Sequence, residues 1–386
     1  MSGGYELDGQ SHERVYEEIA QHYLPKSLPQ EQPCAVITGG QPGAGKSGIT
    51  AIAIKRFRES GCVLVDADKM RPHHPSYLNL MSKDDKNAAN LTHPDSAKWA
   101  QRLMRDGVAG RRNIIIDQTS RDPVAMANIT QGLKQTGYRV ELHVMAVPEK
   151  VSEQRIYQRY EGMREGGGFG RFSTKDKHDE AYIGVARTVA SVEAGKQVDR
   201  LCLYDHAVQA IYDNRLENGQ WQKEPAALKT LEQERNRPMT LQERKEYLAG
   251  FNTLANQLAK PERQASKQEI HHIENLRQQA RISLAAEVFR QEPPEKAARD
   301  FPELAPALKV MHTAARHFEE KMPGDVNGQR QALAQVRQHV QARLDQGETQ
   351  DFRRSDQVRE QRQPTQGERA MPRDARTPVA DMEHER

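Results

Sequence analysis

The sequence predicts an α/β fold: a doubly wound, mostly parallel sheet, followed by a small all-α bundle and a disordered polar tail. Three observations predict it. Short apolar runs alternate with helical stretches through the first 215 residues. Of 26 glycines, 20 lie before residue 216, so the turns of a mixed fold are concentrated there. Beyond about residue 238 apolar residues recur every three and four positions, the period of one-sided helices.

The elements follow in order. Segment 10–24 is an amphipathic helix with Val15, Ile19 and Tyr23 on one face. Strands are expected at Cys34–Thr38, Cys62–Asp66, Asn113–Asp117, Val140–Val147 and Ala207–Tyr212. Continuous apolar runs such as the three isoleucines after Asn113 indicate strands buried on both faces, as parallel sheets require. Helices near 46–59, 94–106, 122–136, 148–165 and 175–197 separate them. Further on, Thr240 with Glu243 and Ser266 with Glu269 are capping boxes, in which hydroxyl and carboxylate satisfy each other's free amides at a helix start. Four apolar stripes follow: Leu248, Phe251, Leu254 and Leu258; Ile270, Ile273, Ala280 and Leu284; Leu304, Leu308, Met311, Ala315 and Phe318; Leu333, Val336, Val340 and Leu344. From 351 apolar residues nearly vanish while eight arginines balance eight acidic groups, a composition that cannot build a core. The expected organisation is a first domain at 1–215, a linker at 216–238, a helical bundle at 239–345 and a disordered tail at 346–386.

Composition excludes several classes. Lys and Arg number 57 against 54 Asp and Glu, so the formal charge is +3 and the basic footprint of nucleic-acid binding is missing. No apolar stretch is long enough for a transmembrane helix, and the first residues lack a signal-peptide core. Cys34, Cys62 and Cys202 are far apart with no CxxC spacing, as expected of buried thiols in reducing cytoplasm. Mean hydropathy is −0.88. The expectation is a soluble cytoplasmic protein that engages neither nucleic acid nor membrane.

One motif carries chemistry. Gly40-Gln41-Pro42-Gly43-Ala44-Gly45-Lys46-Ser47 fits G-x-x-x-x-G-K-[ST], follows a predicted strand and opens a predicted helix. The glycines let backbone amides converge on phosphate oxygens, and the helix start adds partial positive charge. Lys46 can reach the outer phosphates of ATP, and the Ser47 hydroxyl can ligate Mg²⁺. The fold becomes P-loop kinase-like. Asp66, Asp68 and Asp117 end the second and third strands, where ligands bind in such sheets. Arg159 on a helix and Arg171 after a glycine run are cations that a closing lid could bring to a phosphoryl group. These residues leave the acceptor open. A kinase of another nucleotide-like or polynucleotide hydroxyl, or an ATP-binding regulator working through its C-terminal helices, fits the same motif.

At this point the chain resembles the zeta toxin family of bacterial toxin–antitoxin systems. The resemblance rests on GGQPGAGKS at 39–47, DADKMRPHHPSY at 66–77, IDQTSR at 116–121, VMAVP at 144–148, QRYE at 158–161, and Arg171 ahead of KDKHD at 175–179. These run in collinear order over roughly 30–215. The resemblance implies a kinase that uses ATP and Mg²⁺ to phosphorylate the sugar 3′-hydroxyl of UDP-N-acetylglucosamine, which blocks peptidoglycan synthesis. It also implies a small helical antitoxin as partner. By position, Lys46 would bind phosphates, Ser47 would help hold Mg²⁺, and Asp68 would be the base. Arg159 and Arg171 would clamp the transferring group, with Asp66, Asp117, Thr119 and Arg121 about the acceptor. Two departures stand out: Asp117 replaces the family's usual Glu, and Gln118-Thr119-Ser120-Arg121 replaces Gly-Thr-Gly-Arg. The resemblance says nothing about 239–386.

Overall fold

The computed structural model describes residues 5–350 and 352. Beyond residue 352 the expected polar tail lies outside the described residues. The chain forms two compact units, the first running through Leu284 and the second starting at Ala285.

The first unit opens with α1 (Gly9–Tyr23), β1 (Cys34–Gly39), α2 (Lys46–Arg56) and β2 (Val63–Val65). Three short helices follow, α3 (Ala67–Met70), α4 (Tyr77–Lys83) and α5 (Ala88–Leu91), then α6 (His93–Ala109) and β3 (Ile114–Ile116). Next come α7 (Pro123–Gln135), β4 (Arg139–Met145), α8 (Glu149–Gly167), α9 (Lys175–Ala194) and β5 (Arg200–Tyr204). The unit closes with β6 (Ala210–Glu217), β7 (Gln220–Trp221), α10 (Ala227–Asn236), α11 (Leu241–Leu258) and α12 (Lys267–Gln291), whose last turns enter the second unit.

All seven strands form one sheet in the order β2-β3-β1-β4-β5-β6-β7. The first five in that order are parallel; β6 and β7 return antiparallel. Ile37 on β1 sits opposite Ile116 on β3 and Leu142 on β4. Ala35 and Ile37 pack into one layer with Leu103 and Val189, while Val36 and Ile115 pack into the other with Ala53 and Phe57. Burial on both faces is why these strands carry unbroken apolar runs. From β1 the chain moves to β3 and β2 on one side and then crosses to β4 on the other. The switch point therefore falls at the C-terminal end of β1, where a crevice for ligand forms.

Two differences from the sequence reading concern the far edge. A strand was expected at Ala207–Tyr212, but the structure has β5 and β6 with a turn between them. Asp205 pins that turn by accepting the amides of Ala207 and Gln209 at 2.9 and 2.8 Å. Charges at Arg200 and Asp213 hide these strands in the sequence; they neutralise each other across the ladder at 2.7 Å. The expected linker at 216–238 is structured as well. Asn218 and Gly219 take positive φ (50° and 75°), the geometry of a tight hairpin turn, and α10 buries Ala227 and Leu231 in the main core.

The expected C-terminal helices are present, but the division between units falls inside α12 instead of at 238. The cause is the stripe on α11: Phe251, Leu254 and Leu258 bury against Ile273 and Ala280, with Tyr157 of α8 packed beside them. Both capping boxes form. In the second unit α13 (Pro294–Asp300), α14 (Ala305–Lys321) and α15 (Val326–Asp345) bury Leu304, Ala307, Met311, Val340 and Leu344. Among the described residues no helix is long and apolar enough to cross a membrane.

Candidate active site

The glycine-rich loop leaves β1 and delivers Lys46 to the first turn of α2. Gly43 and Gly45 hold φ of 78° and 92°, which L side chains rarely adopt. At Gly43 space forbids a side chain as well, because its Cβ would lie 2.0 Å from the Ser152 carbonyl. The loop is also tied down by Gln41, which is fully buried. Its amide donates to the Val147 carbonyl and to Ser152 Oγ, both at 3.0 Å, while its Oε1 accepts from Arg235 at 3.1 Å. Ser47 lies exposed beside Lys46.

Lys46 Nζ donates to the Gly40 carbonyl at 3.1 Å, and among the described residues no carboxylate pairs with it. Burial pulls its ammonium below the ordinary lysine range; Asp117 and Asp66 act against that, and Arg159 and Arg171 add to it. An ammonium that is desolvated, crowded by cations and without an anion of its own is built for an anionic ligand.

Asp117 follows β3, its amide donating to the Val65 carbonyl at 2.9 Å. Its carboxylate accepts from Thr38 Oγ1 at 3.2 Å and Thr50 Oγ1 at 3.0 Å, so its direction is set by β1 and α2 together. Asp66 caps α3, accepting the Asp68 amide at 2.8 Å. Burial, then the charge of Asp117, raises its carboxyl above the usual range. Asp68 is more open, its side chain 42% exposed. Two arginines hold it: Arg71 Nη1 at 2.9 Å on one oxygen and Arg171 on the other.

The lid cations come from the segment after β4. Arg159 donates to Ser173 Oγ at 3.0 Å; it is open to solvent along a cleft yet crowded by protein, and burial together with Arg71 lowers its pKa. Burial does the same to Arg171, opposed by Asp66. The structure thus brings Lys46, Asp66, Asp68, Asp117, Arg159 and Arg171 to the C-terminal ends of the parallel strands. Thr119 joins them through its backbone, accepting the Gly40 amide at 3.0 Å. Arg121 stands apart, exposed and paired with Glu180 of α9 at 3.1 Å.

Sequence reasoning passed over Arg71, Thr38 and Thr50. Arg71 had a signal, since it lies one helical turn after Asp68; the threonines reach Asp117 only through the fold. Another constellation looks catalytic and is not. Ser152 Oγ lies 2.9 Å from His178 Nε2, whose Nδ1 lies 2.8 Å from Asp179. Ser152 and His178 are completely buried, so no substrate reaches them, and the trio braces α8 against α9. The cysteines are equally inert, burial pushing Cys34 and Cys62 to about 11 and Cys202 to about 12.

The model of the zeta toxin family matches residues 20–217. The chain belongs to the zeta toxin family. It is 28% identical to Toxin PezT of Streptococcus pneumoniae over 186 residues, which cover 48% of this chain and 73% of that protein. It is 25% identical to Toxin zeta of Enterococcus hirae over 185 residues, covering 48% of this chain and 64% of that one. Its fold is similar to a solved structure from the PezAT chromosomal toxin–antitoxin system of S. pneumoniae. The TM-score is 0.58 at 22% identity, over 67% of this chain and all of the other. Helices α10 to α15 lie beyond the family match.

Within this zeta toxin the serine of the Gln118–Arg121 turn is instructive. Ser120 sits at φ 56°, the left-handed region where the family's glycine is at ease. Its buried hydroxyl donates to the Thr38 carbonyl at 2.7 Å, offsetting the backbone strain. The altered turn therefore stays docked against β1.

Proposed function

We propose that this zeta toxin is an ATP-dependent kinase that phosphorylates the sugar 3′-hydroxyl of UDP-N-acetylglucosamine and thereby blocks peptidoglycan synthesis. The observation that carries the reading is the electropositive Lys46 without a carboxylate partner, set between the carboxylates of β2 and β3 and the cations of the lid. The loop glycines and Lys46 fit a triphosphate. Ser47, with Asp117 and Asp66 close by, fits a Mg²⁺ ion, which would neutralise phosphate charge when bound.

Asp68 accepts the proton of the sugar hydroxyl as its oxygen bonds to the terminal phosphorus and the bond to the leaving ADP breaks. Lys46, Arg159 and Arg171 hold the charge that spreads over the transferring oxygens. Arg171 pairs with Asp68 without ligand. When nucleotide arrives it turns to the phosphoryl group, leaving Arg71 to keep the base ionised and oriented. Thr119 and Arg121 lie where the acceptor would rest, and pairing with Glu180 leaves Arg121 free to move. The partner is a small helical antitoxin, as the PezAT system of the structural relative suggests. We assign the kinase to the segment from the N-terminus to about 215, with α10 to α12 packed onto it.

Mass spectrometry tests this reading. The protein is incubated with ATP, Mg²⁺ and a panel of UDP-sugars, with Lys46→Ala as control. A one-phosphoryl gain on UDP-N-acetylglucosamine, absent in the control, is expected. ATP consumption with no gain on any UDP-sugar would move the acceptor elsewhere.

A further inference from the structure

A second cavity, of about 200 Å³, lies beside the phosphate loop. It is lined by Val151 and Arg155 of α8, His206 of the β5–β6 turn, and Met239, Glu246 and Tyr247 at the start of α11. Two contacts put it at the edge of the loop. Arg155 Nη1 lies 3.5 Å from where a side chain at Gly45 would begin, and Val208, two residues after His206, lies 2.8 Å from the corresponding point at Gly48. Arg155 also donates to the His206 carbonyl at 3.4 Å, joining α8 to the turn.

We propose that this cavity is the base subsite of the nucleotide donor, that it takes an amino-bearing purine, and that α11 supplies its outer wall. The inference rests on the nucleotide reading above and adds that helices beyond the family match take part in it. Three features argue for it. The volume falls below the ~300–1,000 Å³ of whole drug-sized ligands, so it suits one flat heterocycle instead of a sugar nucleotide. Arg155 offers a planar guanidinium, desolvated by its surroundings, which stacks well on an aromatic ring. Opposite it Val151, Met239 and Tyr247 are apolar or aromatic, and Glu246 is an acceptor for an exocyclic amine.

The wall is well supported. Glu243 is fixed by two bonds from Arg237 (2.6 and 2.8 Å), and the Gln154 side chain donates to the Tyr247 carbonyl. His206 Nε2 lies 3.6 Å from Glu243, closing the turn onto the helix. The start of α11 is therefore held against α8 and the turn instead of merely lying near them.

Calorimetry on the full chain tests the proposal with three probes: ATP, GTP and inorganic tripolyphosphate, each with Mg²⁺. The variant Met239→Trp fills the cavity from a partly exposed loop position. ATP should bind the native protein more tightly than GTP or tripolyphosphate. Met239→Trp should weaken ATP roughly five- to thirtyfold, the scale of one lost stacking contact, while tripolyphosphate binds as before. Equal affinity for all three probes, or an unchanged ATP-to-tripolyphosphate ratio in Met239→Trp, overturns the subsite. Lys46→Ala separates the two readings: it should lose both ATP and tripolyphosphate, and if it loses neither, the phosphate-loop reading falls as well. Should Met239→Trp misfold, photolabelling native protein with 8-azido-ATP answers directly. Label on peptides spanning 148–158 or 237–247 supports the proposal, and label confined elsewhere refutes it.

Discussion

The two units hold themselves together differently. In the first, a five-stranded parallel core is buried on both faces, and Ile114, Ile115, Val36 and Leu142 have no exposed surface. In the second, α14 and α15 cover only a narrow seam. Leu308, Phe318, Leu333 and Val336 of the predicted stripes are half-exposed, and a groove of about 1,060 Å³ runs beside several of them. Side chains bonded to backbone help close that unit: Arg337 donates to the carbonyls of Phe289 and Glu292 at 2.6 and 2.7 Å, and Gln341 to that of Ala286 at 3.0 Å. A chemical site needs side chains fixed by rigid surroundings. The first unit provides them, and its strand ends carry the candidate residues.

The largest expected effect separates chemistry from stability within the first unit. Asp68→Asn should slow phosphoryl transfer ~10²–10⁴-fold, the usual worth of a general base, with little change in melting temperature. Lys46→Ala should abolish detectable transfer and hold or raise the melting temperature, because it removes a desolvated ammonium. Near-native turnover in Asp68→Asn would reassign the base.

Core truncation compares the units directly. Ile115→Ala should cost ~2–5 kcal/mol in urea unfolding, since it leaves a cavity in a packed layer. Val336→Ala, half-exposed on α15, should cost about 1 kcal/mol or less. Equal losses would mean that the second unit is as tightly packed as the first.

Acid should loosen the first unit before the second. Glu141 is wholly buried; burial opposes its charge, but bonds from His143 and Arg56 prevail and hold it well below the ordinary value. Bonds from Arg237 hold Glu243 at about 2, and bonds from Arg200 hold Asp213 at about 2. A depressed carboxylate stabilises the fold fully above its ordinary value, 4.5 for Glu243, and that contribution is lost as pH falls toward the folded value. Melting followed from pH 5 to 2 should show the first unit weakening across that window, and Glu243→Gln should flatten the slope. A pH-independent first transition would rule this out.

The smallest effect concerns Ser120. Ser120→Ala keeps the left-handed strain and loses the bond to Thr38, so it should destabilise by about 1 kcal/mol. Ser120→Gly loses the bond but relieves the strain and should be nearly neutral. If both cost the same, the conformation is not strained.

Much of the site was legible because its chemistry is local in sequence. A phosphate loop needs its glycines, lysine and serine within eight residues, so Gly40 to Ser47 announced themselves, as did Asp66, Asp68 and Asp117 at strand ends. What stayed hidden depends on distant partners. Thr50 reaches Asp117 across 67 residues, and Arg235 reaches Gln41 across 194. The division of the chain was equally obscure, because an apolar stripe states that a helix must be covered and not by what. Phe251 and Leu254 could have faced a separate bundle; packing with α12 and Tyr157 assigned them to the first unit.

By itself, then, the sequence determined the α/β class, the phosphate loop and the family, because periodicity, glycine placement and short motifs act over a few residues. Only the tertiary structure decided that Arg71 and Arg171 share Asp68, that the turn at Ser120 docks on β1, and that α11 closes a cavity beside the loop. Those are contacts between segments far apart in the chain, and they exist only once the sheet has brought its strand ends together.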